Sequence, residues 1–232
     1  MTLTIFGDSI MRAVLYEDGR YRKSSAFERS FSDTNGIIIR NLARFGCTIR
    51  KAIPWIRQAC ETTGTQDDRV LLEFGGNDCD YDWEQISREP SGRIHCKTPP
   101  EEFASLYREA ITRIRQSGRT PVAMSLPPIH SVRYLNFICK DGLSKERILQ
   151  WLGDAGTIGK RQRMYSDMVM QIAKEEQAEV VDVRNAFPKE ESELVELLCE
   201  DGIHPNPKGQ SKIFAEIREA FLRIDRSVRG KK

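Results

Sequence analysis

Five short apolar runs alternate with longer amphipathic stretches, and this alternation limits what the chain can fold into more than any other feature. Leu3–Phe6, Ile37–Leu42, Val70–Phe74, Pro121–Leu126 and Val180–Val183 are rich in aliphatic residues and bounded by Gly, Pro, Asp or Asn. That is the pattern of buried strands. Helical periodicity is predicted over Ile49–Cys60, over Pro100–Gln116 with Phe103, Leu106, Ala110, Ile111 and Ile114 on one face, and over Arg161–Gln177 with Met164, Met168 and Ile172 four residues apart. A last helix over Pro207–Ile224 carries Ile213, Ile217, Ala220, Phe221 and Ile224 on its core side. Strands separated by helices imply a parallel sheet covered on both faces, hence an α/β fold.

In such a sheet, reactive groups belong where loops leave the carboxyl ends of the strands. Gly7–Ser9, the Phe45–Cys47 turn, Gly75–Asp78 and the Pro127–His130 loop are therefore expected on one rim. Two long stretches, 79–100 and 127–156, read as irregular insertions that shape a pocket, the second with a helix around Lys145–Trp151. No repeat or Gly/Ser-rich linker divides the 232 residues, so one domain spanning 1–232 is expected, with a frayed basic tail at Arg223–Lys232.

Charge and composition narrow the partners. Thirty-six Lys and Arg stand against 34 Asp and Glu, a net charge of +2. This gives no electrostatic reason to expect nucleic acid or an anionic bilayer. Apolar runs fall far short of the roughly 20 residues that cross a membrane. The start, Met-Thr-Leu-Thr-Ile-Phe-Gly-Asp-Ser, has no basic leader, so a cytoplasmic location is expected. Six scattered cysteines without Cys-x-x-Cys spacing are expected as free thiols.

Three segments can carry chemistry. His204 is one of three histidines, with His95 and His130. It lies in Asp201-Gly202-Ile203-His204-Pro205, where an acid three residues earlier across a glycine turn can reach the imidazole Nδ1 and leave Nε2 free to take a proton. Alone, the segment is equally a turn into a helix with a surface histidine. Leu3–Phe6 runs into Gly7-Asp8-Ser9-Ile10, where Ser9 is either an N-cap or a nucleophile at the rim beside free N–H groups. Phe74-Gly75-Gly76-Asn77-Asp78 is either a simple turn or a close backbone approach with an amide donor.

Taken in order, Gly-Asp-Ser-Ile, a glycine after the second strand, Gly-Gly-Asn-Asp and Asp-x-x-His resemble the SGNH (GDSL-type) esterase and lipase superfamily, from Leu3 to Pro205. The resemblance implies a flavodoxin-like α/β/α sandwich and a Ser-His-Asp hydrolase. Ser9 would be nucleophile, His204 base and Asp201 its orienting acid. The N–H groups of Ser9 and Gly46 and the Asn77 amide would form the oxyanion hole. No Gly-x-Ser-x-Gly elbow of the other common serine-hydrolase scaffold occurs.

Asp78, Asp80, Asp82 and Glu89 superficially mimic a calcium loop, but Trp83 stands where that loop needs glycine. No metal or organic cofactor is expected, and Asp78 is read as a brace for the Asn77 loop. Asp8, Asp78, Trp83, His130 and Tyr134 are expected to line the pocket. A mean hydropathy of −0.50 argues against a lipid-interface enzyme and for a short acyl group, acetyl-like, on a polar alcohol such as a carbohydrate. Tyr81, Trp83, Tyr134, Phe137 and Trp151 either stack on sugar rings or pack their own loops. Lysophospholipid or thioester substrates stay open. A non-catalytic binding module on the same fold is the rival reading, and the sequence is silent on oligomeric state.

Overall fold

A computed structural model describes residues 1–31 and 37–229, without the side chains of residues 28, 29 and 222–229. The strands are β1 (Thr2–Phe6), β2 (Val14–Glu17), β3 (Arg20–Lys23), β4 (Ile38–Asn41), β5 (Arg69–Leu72), β6 (Thr120–Met124) and β7 (Glu179–Val181). The helices are α1 (Ala26–Ser30), α2 (Ile49–Ala59), α3 (Trp83–Arg88), α4 (Pro100–Gln116), α5 (Ser131–Cys139), α6 (Lys145–Leu152), α7 (Gly156–Glu175) and α8 (Pro207–Arg229).

Five strands form one parallel sheet in the order β4-β1-β5-β6-β7. The register aligns Ile5 with Leu71 and Leu71 with Val122. Because side chains alternate along a strand, Phe6, Val70, Leu72 and Ala123 pack under α2, α4 and α7, while Leu3, Ile5, Leu71, Val122 and Met124 pack under α1 and α8. The result is a three-layer α/β/α sandwich of flavodoxin-like order.

The helical periodicities locate most of the core, although on α4 Tyr107 is buried and Leu106, expected on that face, is only partly so. Phe103, Tyr107, Ala110, Ile111 and Ile114 of α4 are fully buried, and each large side chain contributes roughly 1.5–3 kcal/mol by leaving water. On α7, however, Met164 is exposed and Met168 only partly buried. Four-residue steps drift about 40° around a helix, so the buried stripe needs three-residue steps as well. It runs through Ile158, Gln162, Tyr165, Val169 and Ile172.

Three further expectations are corrected. The run at 37–42 is not buried on both faces: β4 is the sheet's edge, and Ile38 is exposed. The stretches 79–100 and 127–156 are less irregular than expected: besides the expected helix, which is α6 at Lys145–Leu152, they contain α3 and α5. Finally, a β2–β3 hairpin follows Ser9 where no strands were expected, turning at Asp18-Gly19 with φ of 50° and 72°, the backbone that Asp-Gly hairpin turns adopt. The expectations placed on Ile224 and on the tail at 223–232 lie outside the described side chains.

Candidate active site

A sheet of this order opens a crevice beyond the carboxyl ends of β1 and β5, where the chain reverses its direction of winding. Gly7–Ser9 leaves β1 and Gly75–Asp78 follows β5, so the two segments face each other there. The third contributor comes from the far end of the chain, in the loop before α8. Gly202 makes that loop possible: its φ is +76°, and a Cβ would lie 2.7 Å from the Arg133 Cβ and 2.8 Å from the His130 carbonyl. The His130 N–H donates to the Gly202 carbonyl at 2.8 Å, fixing the loop against α5.

These segments bring Ser9, His204 and Asp201 into a hydrogen-bonded chain. Ser9 Oγ lies 2.9 Å from His204 Nε2, and His204 Nδ1 lies 2.5 Å from Asp201 Oδ2. Asp201 is fully buried, and its other oxygen accepts the N–H groups of Ile203 and His204 at 3.2 and 3.1 Å. With all of its strong contacts to donors, the carboxylate selects the tautomer protonated on Nδ1. Nε2 is then the acceptor for the Ser9 hydroxyl.

The hairpin that the sequence reading missed covers this chain of groups. Tyr21 on β3 meets the imidazole edge-on with ring centroids 5.4 Å apart, and Phe45 stacks parallel to it at 6.2 Å. Both shield the imidazole from water while staying partly exposed themselves. The signal for Tyr21 was the Asp18-Gly19 pair.

On the other side of Ser9 lie the donors. Among the described residues the N–H groups of Ser9 and Gly46 donate to no protein atom, and Gly46 has a φ of +63°. Asn77 also lines the cavity, but its Nδ2 already donates to Asp8 Oδ2 at 2.7 Å. An amide nitrogen carries two hydrogens, so Asp8 holds the group in place by one and leaves the second for a ligand. Asp8 is itself fixed by the Ile10 N–H at 2.8 Å.

Beneath this layer are three buried carboxyls. Glu73 is fully buried; its Oε2 accepts the Asp8 N–H at 3.0 Å, and its Oε1 has no hydrogen-bond partner among the described residues. Burial, and secondarily the Asp8 charge, pushes its pKa well above the usual carboxylate range. Burial likewise raises Asp8 and pushes Asp78 up to about 7. The sequence signal for Glu73 was a lone charge inside the apolar run Val70–Phe74.

A carboxyl whose folded pKa is raised contributes stability fully below its ordinary pKa and loses it as the pH climbs through the folded one. The protein is expected to lose stability from about pH 4 to pH 7, by at most about 1.4 kcal/mol per pH unit for each titrating group. Chemical denaturation of Asp78→Asn and Glu73→Gln, each against the parent between pH 5 and 8, is expected to show a flatter slope. An unchanged slope in both variants would assign the effect elsewhere.

Other expected pocket residues divide. Asp8, Trp83 and Tyr134 line a cavity of about 220 Å³ that opens at Ser9, as do Tyr81 and Phe137. Asp78 does not: it turns inward to accept the N–H groups of Ile49 at 3.0 Å and Gly75 at 3.1 Å, which braces the Asn77 loop. His130 is drawn away because its ring accepts the Arg133 N–H at the start of α5 and faces Glu191 at 3.4 Å. Trp151 packs against Tyr81 with centroids 4.8 Å apart, supporting the wall from behind. Asp80 takes hydrogen bonds from Trp83 Nε1 and Tyr134 Oη and pairs with Lys97, while Asp82 caps α3. The alternating acids thus have separate structural duties.

The profile of the GDSL-like lipase/acylhydrolase family matches residues 5–212. The chain belongs to this family. It is an ester-hydrolysing enzyme of the GDSL-like type, and the match spans the segments that carry Ser9, Asn77, Asp201 and His204. No curated protein matches the sequence. Among solved structures the GDSL-like fold is shared with LAE5, an alpha/beta hydrolase enzyme from the metagenome of Lake Arreo, Spain, at 22% identity and a TM-score of 0.63, covering 95% of this chain and 94% of that one. A lipolytic G-D-S-L family member from Veillonella parvula matches at 16% identity and 0.64, covering 96% and 98%. Axe2, an acetylxylan esterase from Geobacillus stearothermophilus, matches at 16% and 0.62, covering 95% and 93%. Among the described residues of this GDSL-like hydrolase, no helix is long and apolar enough to cross a membrane.

Proposed function

We propose that the protein is a serine esterase acting on small, polar esters. Ser9 Oγ attacks the ester carbonyl carbon while His204 Nε2 takes the hydroxyl proton, and Asp201 stabilises the imidazolium that forms. The charge developing on the carbonyl oxygen meets the N–H groups of Ser9 and Gly46 and the second Asn77 amide hydrogen. The imidazolium then protonates the departing alcohol, and water repeats the sequence to release the acid. The observation carrying this reading is the hydrogen-bonded chain Ser9–His204–Asp201 at the mouth of a cavity.

A cavity of about 220 Å³ lies below the roughly 300–1,000 Å³ of drug-sized sites, which favours a short acyl group such as acetyl over a long chain. Aromatic walls at Tyr81, Trp83 and Tyr134 suit a ring-bearing alcohol such as a sugar, and Axe2 is an esterase of acetylated xylan. Initial rates on 4-nitrophenyl acetate, butyrate, octanoate and palmitate test this: the rate is expected to fall as the chain lengthens, and a preference for palmitate would contradict it.

Asn77 gives a sharper test of the donor layer. Losing one oxyanion donor typically costs about 10²–10³ in kcat. Asn77→Ala is expected to show that loss in kcat with an unchanged circular dichroism spectrum. Near-parental kcat would remove Asn77 from the site.

A further inference from the structure

The cavity contains a cation and a hydroxyl that nothing in the reaction scheme uses. Arg161 on α7 lines the cavity wall, with its guanidinium carbon 5.1 Å from the centre of the Tyr81 ring. Among the described residues it has no ion-pair partner. Tyr81 is 4% exposed, and its buried Oη faces the Arg161 guanidinium and no other partner among the described residues. Burial pushes its pKa up to about 12, and the neighbouring guanidinium works against that rise.

The acids of the same cavity do not answer Arg161. Asp80 pairs with Lys97 and accepts from Trp83 and Tyr134; Asp8 is bound to Asn77 and the Ile10 N–H; burial holds Glu73 toward its neutral form. Tyr81 thus fixes the Arg161 guanidinium against the cavity wall without neutralising its charge. An oxyanion in the cavity would pair with that charge. A guanidinium offers paired donors in the geometry of a carboxylate, and an apolar ligand would desolvate it without compensation.

We propose that Arg161, positioned by Tyr81, forms a carboxylate-binding subsite, so that the ester hydrolysed at Ser9 carries a negative charge remote from the scissile bond. This rests on the esterase reading and deepens it: the polar ester is an acidic one. The carboxylate belongs either to the acyl group or to the alcohol, and both present the same group to the subsite.

Matched ester pairs separate these sources. On the acyl side, 4-nitrophenyl hydrogen glutarate is compared with 4-nitrophenyl methyl glutarate; on the alcohol side, 4-acetoxybenzoate is compared with 4-acetoxybenzamide. In one pair, kcat/KM is expected to favour the carboxylate by about ten- to a hundredfold, the size of a charge-assisted contact. Arg161→Gln is expected to bring that ratio close to one. Tyr81→Phe is expected to lower it severalfold while leaving Tm nearly unchanged, because the variant removes the hydroxyl that holds Arg161 and keeps the ring. A purely structural tyrosine would instead lower Tm and leave the ratio alone. Calorimetric binding of the same pairs to Ser9→Ala reads the subsite without turnover. Equal or better use of the neutral ester in both pairs, with equal binding, overturns the subsite alone. Turnover that persists in Ser9→Ala overturns the esterase reading, while the binding preference still decides the subsite.

Discussion

Replacing Ser9 by alanine is expected to lower kcat on 4-nitrophenyl acetate by about 10⁶-fold, the cost of removing a triad hydroxyl in a serine hydrolase. The size of the loss comes from the loss of a pathway rather than of a contact. On the proposed mechanism no acyl-enzyme forms without Oγ, and the remaining groups can only orient water near the carbonyl. Ser9 is 7% exposed, and its Oγ faces a single strong partner, His204 Nε2 at 2.9 Å. Deleting one oxygen there leaves Gly7, Asp8 and the β1 register untouched, so the melting temperature is expected to stay within a few degrees of the parent's. Steady-state rates corrected for spontaneous hydrolysis check this. A loss of less than about tenfold would mean that another nucleophile carries the reaction.

Asp201→Asn is the second large effect, expected at about 10⁴ in kcat. The structure gives a specific reason. Asp201 Oδ1 accepts two backbone N–H groups, from Ile203 and His204, while Oδ2 faces His204 Nδ1 at 2.5 Å. An asparagine must keep its oxygen on the two backbone donors, which turns its NH2 toward Nδ1. That amide donates, so Nδ1 becomes the acceptor and the imidazole proton moves to Nε2. Nε2 then has no lone pair for the Ser9 hydroxyl. The fold and the Ser9–His204 distance stay nearly unchanged, and only the proton is on the wrong nitrogen. Activity recovering at high pH, or a loss below tenfold, would argue that Asp201 merely fills space.

How far the sequence foretold the molecule depended on the scale of the signal. The central strands and the α4 helix are long-range consequences of simple periods, and α4 appears over the expected residues, Pro100–Gln116. Elements that depend on neighbours were less legible. Whether the 37–42 run is central or at an edge is decided by strand order, and a strand's own residues say little about that. The β2–β3 hairpin consists of two four-residue strands outside the main sheet, with no buried alternation to reveal them. Met164 was misplaced because a four-residue repeat follows a helix face for only a turn or two.

The candidate site shows the same division. Ser9, Asn77, Asp201 and His204 stood in short, ordered motifs, and the structure brings their segments together at one rim. Tyr21, Glu73 and Arg161 did not stand in motifs, because each gains its place through tertiary contact. Tyr21 lies over an imidazole from a segment far along the chain, Glu73 supports the Asp8 backbone, and Arg161 enters the cavity from a helix that begins at Gly156, ahead of the expected start at Arg161.

The most direct test of the account is covalent labelling with a fluorophosphonate, which reacts only with a serine activated by its neighbours. After reaction, peptide mass mapping is expected to find one adduct, on the peptide containing Ser9, and none in Ser9→Ala. An adduct on a different serine, or undiminished labelling of Ser9→Ala, would contradict it.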